Sequence, residues 1–210
     1  MFTGLIEEIG YIRSINRLGN SIKFEIESKK ILNDLKINDS VAINGVCLTV
    51  TDLKQNSFIA DAVDETLRKT TFSRYRINQS VNLERALMLS SRLGGHIVLG
   101  HIDTIGKILE IKNESLGILF KVSFPVEFNK FVVKVGSICI DGVSLTISDL
   151  FNNSFRTSVI PHTFNNTIFR EYKIGNEVNL EFDILGKYIE KLTTGKSDFE
   201  DKLKSFLSES

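Results

Sequence analysis

Residues Ser40–Phe58 read SVAINGVCLTVTDLKQNSF, and residues Ser137–Phe155 read SICIDGVSLTISDLFNNSF. Laid over one another at an offset of 137 − 40 = 97, the two stretches superpose Gly45 on Gly142, Leu48 on Leu145, Thr49 on Thr146 and Asp52 on Asp149. The register continues without a gap through Thr66 and Thr163, Thr70 and Thr167, and Tyr75 and Tyr172, to SVNLE (Ser80–Glu84) over EVNLE (Glu177–Glu181). Towards the N-terminus an offset of 100 − 4 = 96 aligns Gly4-Leu5-Ile6-Glu7-Glu8-Ile9-Gly10 with Gly100-His101-Ile102-Asp103-Thr104-Ile105-Gly106, and Phe24 with Phe120. Self-similarity this long means one structural unit made twice. A chain of 210 residues holds two units of about 100 residues each, a common domain size.

Each copy reads as strands. Ser21–Ser28 (SIKFEIES) alternates apolar and polar residues, the period of a half-buried strand, and Leu119–Phe124 repeats it. Val41–Thr51 and Ile138–Ser148 carry β-branched residues on both sides of Asn44-Gly45 and Asp141-Gly142. Those dipeptides predict a tight turn just before Cys47 and Ser144, because both residue types tolerate positive φ. Gln55-Asn56-Ser57 and Asn152-Asn153-Ser154 predict a second turn, and short helical turns are expected over Thr66–Phe72 and Thr163–Phe169. Many short strands with evenly spaced turns predict a small closed barrel, which leaves few open edges. The end of the chain differs. Tyr188, Ile189 and Leu192 stand at helical spacing, Ser197 and Glu200 have the spacing of a capping box, and Phe199, Leu203, Phe206 and Leu207 form an apolar stripe. One or two amphipathic helices are expected there, packing either on their own barrel or on another copy.

Composition narrows the function. Lys plus Arg and Asp plus Glu both total 26, so there is no positive excess to seek nucleic acid or anionic lipid. No stretch approaches the roughly 18 apolar residues of a membrane span. The first ten residues lack the basic start of a secretory signal. Two cysteines, Cys47 and Cys139, make neither a disulfide framework nor a zinc site, so a cytoplasmic location is expected. There is no P-loop and no dinucleotide-binding glycine motif. The three histidines, His96, His101 and His162, lack metalloprotease spacing. Neither a cofactor nor a metal is expected.

The candidate chemistry lies where the copies differ beside a shared turn. Residues at i and i+2 of a strand share a face, so Cys47 stands with Thr49, and Ser144 with Thr146. Asn44 in one copy is Asp141 in the other, an amide against a group that can also accept a proton. Two like pockets with unlike polar groups suggest two like ligands held for different roles. Gly94-Gly95-His96 and Gly100-His101 form a second cluster, and His101, where the first copy has Leu5, is a candidate general acid or base.

MFTGLIE (1–7), SVAINGVCLTV (40–50), GGHIVLGHID (94–103) and IDGVSLTIS (140–148), in this order, resemble the riboflavin synthases of the α type. The resemblance runs from Met1 to about Lys191. It implies an all-β fold of two tandem homologous Greek-key β-barrels followed by a C-terminal α-helix, divided as 1–96, 97–185 and 186–210, the last segment assembling a homotrimer. Each barrel would bind 6,7-dimethyl-8-ribityllumazine, and the active site would lie between the N-barrel of one subunit and the C-barrel of the next. Two lumazines would dismutate by transfer of a four-carbon unit, giving riboflavin and 5-amino-6-(D-ribitylamino)uracil, without cofactor or metal. Association with a lumazine synthase is a further implied partner.

The same resemblance puts Phe2, Ser40, Cys47, Thr49, His101, Asp141, Ser144 and Thr146 at functional positions. Cys47 or a bound water would supply the nucleophile, His101 or Ser144 with Thr146 the proton transfers, and Asp141 would orient that group. Substrate contacts would come, for the N-barrel, from Gly4, Leu5 and Ile6, from Cys47, Leu48 and Thr49, and from Asp61, Ala62, Val63, Asp64, Glu65 and Thr66. For the C-barrel they would come from Gly100, His101 and Ile102, from Ser144, Leu145 and Thr146, and from Ile160, Pro161, His162, Thr163, Phe164 and Asn165. Lys134 would add a contact, although the family's lysine stands one position later, where this chain has Val135. The family's acidic residue after Ile160-Pro161 is replaced by His162.

Overall fold

The computed structural model describes residues 1–193. The first half forms β1 (Glu8–Leu18), β2 (Ser21–Glu27), β3 (Ser40–Ile43), β4 (Val46–Leu53), β5 (Ser57–Ala62) and β6 (Ser80–Arg85), closed into an antiparallel barrel in the order β1-β2-β5-β4-β3-β6. Because β2 pairs with β5 rather than with β3, the order is that of a Greek key. The second half repeats it with β7 (Thr104–Glu114), β8 (Gly117–Ser123), β9 (Ser137–Ile140), β10 (Val143–Phe151), β11 (Ser154–Val159) and β12 (Glu177–Phe182). The fold is thus two tandem six-stranded barrels.

The turn signals act as read. Asn44 and Gly45 join β3 to β4 with φ of 45° and 77°, and Asp141 and Gly142 join β9 to β10 with φ of 43° and 84°. The helical turns begin two residues earlier than expected, as α1 (Asp64–Lys69) and α2 (Pro161–Asn166), each followed by a 3-10 turn. Asp64 and Glu65 favour the N-terminus of α1 by their charge, and Pro161 takes the first position of α2, where it loses no helical hydrogen bond. A third helix, α3, occupies residues 184–193 and exposes Leu185, Tyr188, Ile189 and Leu192. The capping box at Ser197–Glu200 and the stripe through Leu207 lie outside the described residues.

Alternation fills each barrel. Ile22, Phe24 and Ile26 of β2 and Val46, Leu48 and Val50 of β4 point inward in the first, and Val143 and Ile147 of β10 do so in the second. The same aromatic knot closes both interiors. Phe24 meets Phe72 edge-on at 5.3 Å and Phe72 meets Tyr75 at 4.7 Å, while Phe120 meets Phe169 at 5.0 Å and Phe169 meets Tyr172 at 5.1 Å.

A pseudo-two-fold seam joins the barrels. Gly45 and Gly142 approach so closely that a Cβ on Gly45 would stand 2.6 Å from the Gly142 nitrogen. Fully buried Asn82 donates from Nδ2 to the Asp141 carbonyl at 2.9 Å and accepts from the Ile168 N–H at 2.9 Å. Its counterpart Asn179 donates to the Asn44 carbonyl at 3.0 Å and accepts from the Thr71 N–H at 2.9 Å. Every bond therefore crosses from one copy to the other, as buried amides require to be satisfied.

Candidate active site

Inward Val46, Leu48 and Val50 leave Cys47 and Thr49 on the outer face of β4, and Ser144 and Thr146 take the same places on β10. Thr49 and Thr146 are exposed, Cys47 and Ser144 half-buried. Ser40 stands opposite Thr49 across the β3–β4 pairing. Phe2 is fully buried beneath this region, packed with Ala42, Val98, Cys139 and the edge of Cys47.

The segments that precede β1 and β7 cross over. They run antiparallel past one another, Phe2 bonding Val98 through N–H···O contacts of 2.7 and 3.2 Å. Beyond the crossing, the Gly100 carbonyl accepts the Cys47 N–H at 2.9 Å, and the Gly4 carbonyl accepts the Ser144 N–H at 2.8 Å. Ile102 packs on the first core and Ile6 on the second. The grouping expected above is thereby exchanged. Gly100, His101 and Ile102 complete the first barrel beside Cys47, Leu48 and Thr49, whereas Gly4, Leu5 and Ile6 complete the second beside Ser144, Leu145 and Thr146. The physical reason is the glycine contact. A Cβ on Gly100 would lie 2.4 Å from the Cys47 Cβ, and one on Gly4 would lie 2.5 Å from the Ser144 Cβ.

Two buried carboxylates hold the crossed straps. Glu84 accepts from the Thr3 N–H and hydroxyl, both at 2.7 Å, and from the Gly4 N–H at 3.0 Å. Glu181 accepts from the Leu99 N–H at 2.7 Å and the Gly100 N–H at 2.9 Å. Burial raises the pKa of both, that of Glu181 to about 7, against the lowering effect of the amide bonds. Neither was singled out from the sequence, although the shared acidic end of SVNLE and EVNLE marks them.

Asn44 and Asp141 sit in the seam and are buried. The Asn44 Oδ1 accepts the Asn82 N–H at 2.7 Å, and its Nδ2 donates to the Tyr75 hydroxyl at 2.6 Å. Asp141 accepts the Asn179 N–H at 2.9 Å and the Tyr172 hydroxyl, so the tyrosine bond runs in the opposite sense. Burial pushes the Asp141 carboxyl up to about 7, opposed by the bonds from Tyr172 and Asn179.

The remaining candidates spread around these faces. Asp61 lies on the outside of β5, 3.4 Å from the Thr51 hydroxyl and 3.9 Å from Lys23. Ala62 is buried, and Val63, Asp64, Glu65 and Thr66 lead into and form α1, whose Leu67 packs on the first core. Ile160, Pro161 and His162 are exposed at the start of α2, with Thr163 and Asn165 following and Phe164 packed on the second core. Lys134 is exposed and reaches Asp149 at 3.4 Å. His101 is exposed. His96 is the residue that sequence reasoning left without a role: it is buried, and its Nδ1 lies 2.7 Å from the Ser144 Oγ. Burial lowers its pKa, and the charge of Asp183 opposes that shift.

A cleft of about 600 Å³ opens beside Ser40, between Thr3, Leu5, Lys36, Arg85 and Arg92, but Cys47, Thr49 and His101 do not line it. The repeat-related cleft of about 400 Å³, with Ser137 for Ser40 and Leu185 for Met88, lies against α3. Among the described residues no three His, Cys, Asp or Glu side chains are grouped to hold a metal ion, and no helix is long and apolar enough to cross a membrane.

One barrel is thus made twice, and each copy carries an outward pair of hydroxyl or thiol groups under a strap from the other half. The family model described as "Lumazine binding domain" matches twice, at residues 3–86 and 99–183. The riboflavin synthase of Actinobacillus pleuropneumoniae is 45% identical over 96% of this chain and 94% of its own length, and that of Bacillus subtilis is 41% identical over 100% and 99%. The chain belongs to the riboflavin synthase family. Among solved structures, LumP complexed with riboflavin has the same fold, with a TM-score of 0.81 at 23% identity, covering 87% of this chain and 99% of that one.

Proposed function

We propose that this chain binds one 6,7-dimethyl-8-ribityllumazine on the outer face of each barrel and dismutates the pair to riboflavin and 5-amino-6-(D-ribitylamino)uracil. The observation that carries this reading is the recurrence of one site in two chemistries: Cys47 with Thr49 beneath Gly100–Ile102, and Ser144 with Thr146 beneath Gly4–Ile6. Like frames accept like molecules, and the difference between a thiol and a hydroxyl lets one molecule act as donor and the other as acceptor. Backbone groups of the straps and of β4 and β10 read the flat pyrimidine edge. Holding two molecules face to face turns a bimolecular encounter into a unimolecular one, worth up to roughly 7–11 kcal/mol of barrier.

Cys47 or a bound water supplies the nucleophile, His101 or Ser144 with Thr146 serves the proton transfers, and Asp141 orients that group. Phe2 and Ser40 shape the floor and flank of the first site. Thr49 and Thr146 are exposed in one chain, which favours a site completed by the opposite barrel of a second subunit. The exposed Tyr188, Ile189 and Leu192 of α3 favour a subunit contact there, and the assembly is a homotrimer through the segment 186–210, with 1–96 and 97–185 as the two binding units. A cytoplasmic location and an association with lumazine synthase complete the reading. The test is to mix the purified protein with the lumazine and follow products by absorbance and chromatography. One riboflavin per two lumazines consumed is expected. Tight binding without turnover would make the chain a pteridine carrier instead.

A further inference from the structure

Glu84 and Glu181 are repeat-related carboxylates, and each ends a row of paired residues on its own barrel. Across β6, β3 and β4, Glu84 pairs with Ala42 and Ala42 with Cys47. Across β12, β9 and β10, Glu181 pairs with Cys139 and Cys139 with Ser144. Directly opposed residues share a face of the sheet, so proximity assigns Glu84 to the Cys47 site and Glu181 to the Ser144 site. The hydrogen bonds assign them the other way. Glu84 takes the N–H groups of Thr3 at 2.7 Å and Gly4 at 3.0 Å, and the Thr3 hydroxyl, which it also holds, accepts the Leu5 N–H at 3.2 Å. The Gly4 carbonyl then receives the Ser144 N–H at 2.8 Å. Glu181 takes the N–H groups of Leu99 at 2.7 Å and Gly100 at 2.9 Å, and the Gly100 carbonyl receives the Cys47 N–H at 2.9 Å. Gly4 and Gly100 have φ of 77° and 81°, a turn that lets successive N–H groups meet one anion. Each glycine is therefore gripped on both sides, its N–H by a carboxylate of one barrel and its carbonyl by a strand of the other. Both carboxylates are buried, which is costly for a charge without such donors.

We propose that Glu84 is a positioning residue for the ligand site on the second barrel and Glu181 for the site on the first, each acting through the strap it holds. This rests on the lumazine reading above. Glu84 sets the place of Gly4–Ile6 over Ser144 and Thr146, and Glu181 that of Gly100–Ile102 over Cys47 and Thr49. Each barrel thus carries the anchor of the other barrel's site. The charge matters as well as the shape. A carboxylate offers two acceptor oxygens, whereas a glutamine of the same size must turn its NH₂ towards one strap N–H in either orientation of the amide. The strap then leaves its docked position for part of the time, and apparent affinity falls with the docked fraction. The strand pairing that carries residue 84 or 181 is untouched by the exchange.

Alkylation by iodoacetamide under rising 6,7-dimethyl-8-ribityllumazine, followed by mass spectrometry, reads the two sites separately. Cys139 is buried and burial pushes its thiol up, so the reagent meets Cys47, whose protection reports the first barrel. In a protein carrying Cys47→Ser and Ser144→Cys the reporter stands on the second barrel. A hydrogen bond to a charged group is worth about tenfold or more in an equilibrium. Glu84→Gln is expected to raise the lumazine concentration for half-protection on the second barrel about tenfold or more, and that on the first less than about threefold. Glu181→Gln is expected to do the reverse. A purely structural role would instead weaken both sites together, in step with the melting temperature. Equal weakening of both sites, weakening confined to the carboxylate's own barrel, or no change in the folded variants overturns the proposal. Should Glu84→Gln fail to fold, Thr3→Val decides, since it removes the strap hydroxyl and leaves the carboxylate in place. Half-protection at least about threefold weaker on the second barrel alone is expected there, and an unaltered value overturns the proposal equally. If lumazine protects neither reporter when Glu84 and Glu181 are intact, the lumazine reading falls and this proposal with it. Protection of both reporters without the crossed effect removes this proposal alone.

Discussion

Replacing Asp141 by asparagine puts into the second barrel the side chain that the first already carries at the equivalent position. The seam supplies the control. Asn44 accepts the Asn82 N–H at 2.7 Å and donates to Tyr75 at 2.6 Å, so an amide satisfies the same surroundings. Burial raises the Asp141 carboxyl from 3.8 to about 7. Below about pH 4 the group is protonated in the folded and the unfolded chain and contributes no pH dependence. As the pH rises towards about 7 the unfolded chain loses its proton first, so stability falls, and above that the penalty is constant. A shift of about three units corresponds to about 4 kcal/mol. That shift already includes the opposing bonds from Tyr172 and Asn179, so nothing further is subtracted. The net gain for Asp141→Asn is about 4 kcal/mol at pH 8, and little or none at pH 4. At about 2–4 °C per kcal/mol for a chain of this size, thermal unfolding at pH 8 should rise by about 8–16 °C. Calorimetry or circular dichroism at the two pH values measures it, with the unaltered protein cancelling the similar contribution of Glu181. An equal effect at both pH values, or a less stable variant at pH 8, would refute the reasoning.

Val135 is exposed yet held at φ 64°, where its repeat partner Asn38 has φ 76°. Val135→Asn should stabilise the chain by about 1–2 kcal/mol in urea unfolding, by relieving left-handed strain on a β-branched residue. Gly100→Ala would drive a Cβ to 2.4 Å from the Cys47 Cβ, and is expected to cost about 3 kcal/mol or more, visible as a large drop in melting temperature. Phe2→Ala empties a fully buried site between Ala42, Val98 and Cys139 and should cost about 3–5 kcal/mol by chemical denaturation. Cys47→Ser and His101→Gln should each lower the rate of riboflavin formation at least about tenfold in a stopped assay. Full rates in both would take these residues out of the chemistry.

The barrels were legible because inward residues of one strand repeat at a period of two, and because Asn44-Gly45 and Asp141-Gly142 state their turns locally. The exchange of the straps was not. Alternation tells whether Ile6 or Ile102 is covered, but not which core covers it, and the repeat alignment is identical whether each strap stays at home or crosses. The same limit applies to Asp141. Its difference from Asn44 was visible, but its burial in the seam depends on two copies meeting across Asn82 and Asn179. His96 escaped for another reason: it belongs to the connector between copies, so comparing the copies gave it no partner. The outward pairs Cys47 with Thr49 and Ser144 with Thr146 followed directly from the strand period.

The crossed straps also bear on how such a chain could arise. A barrel whose leading segment fits only the neighbouring barrel cannot finish itself, but two identical copies can finish each other about a two-fold axis. The present molecule is that symmetric pair made covalent, with residues 86–97 as the join. While the halves were identical, any substitution would have appeared on both sides of the axis at once. Once they were fused, a thiol could change to a hydroxyl, an amide to a carboxylate, and a histidine could be recruited from the join itself, each on one side only. Tandem duplication here is a licence for asymmetry, and a reaction between two copies of one molecule has a use for it.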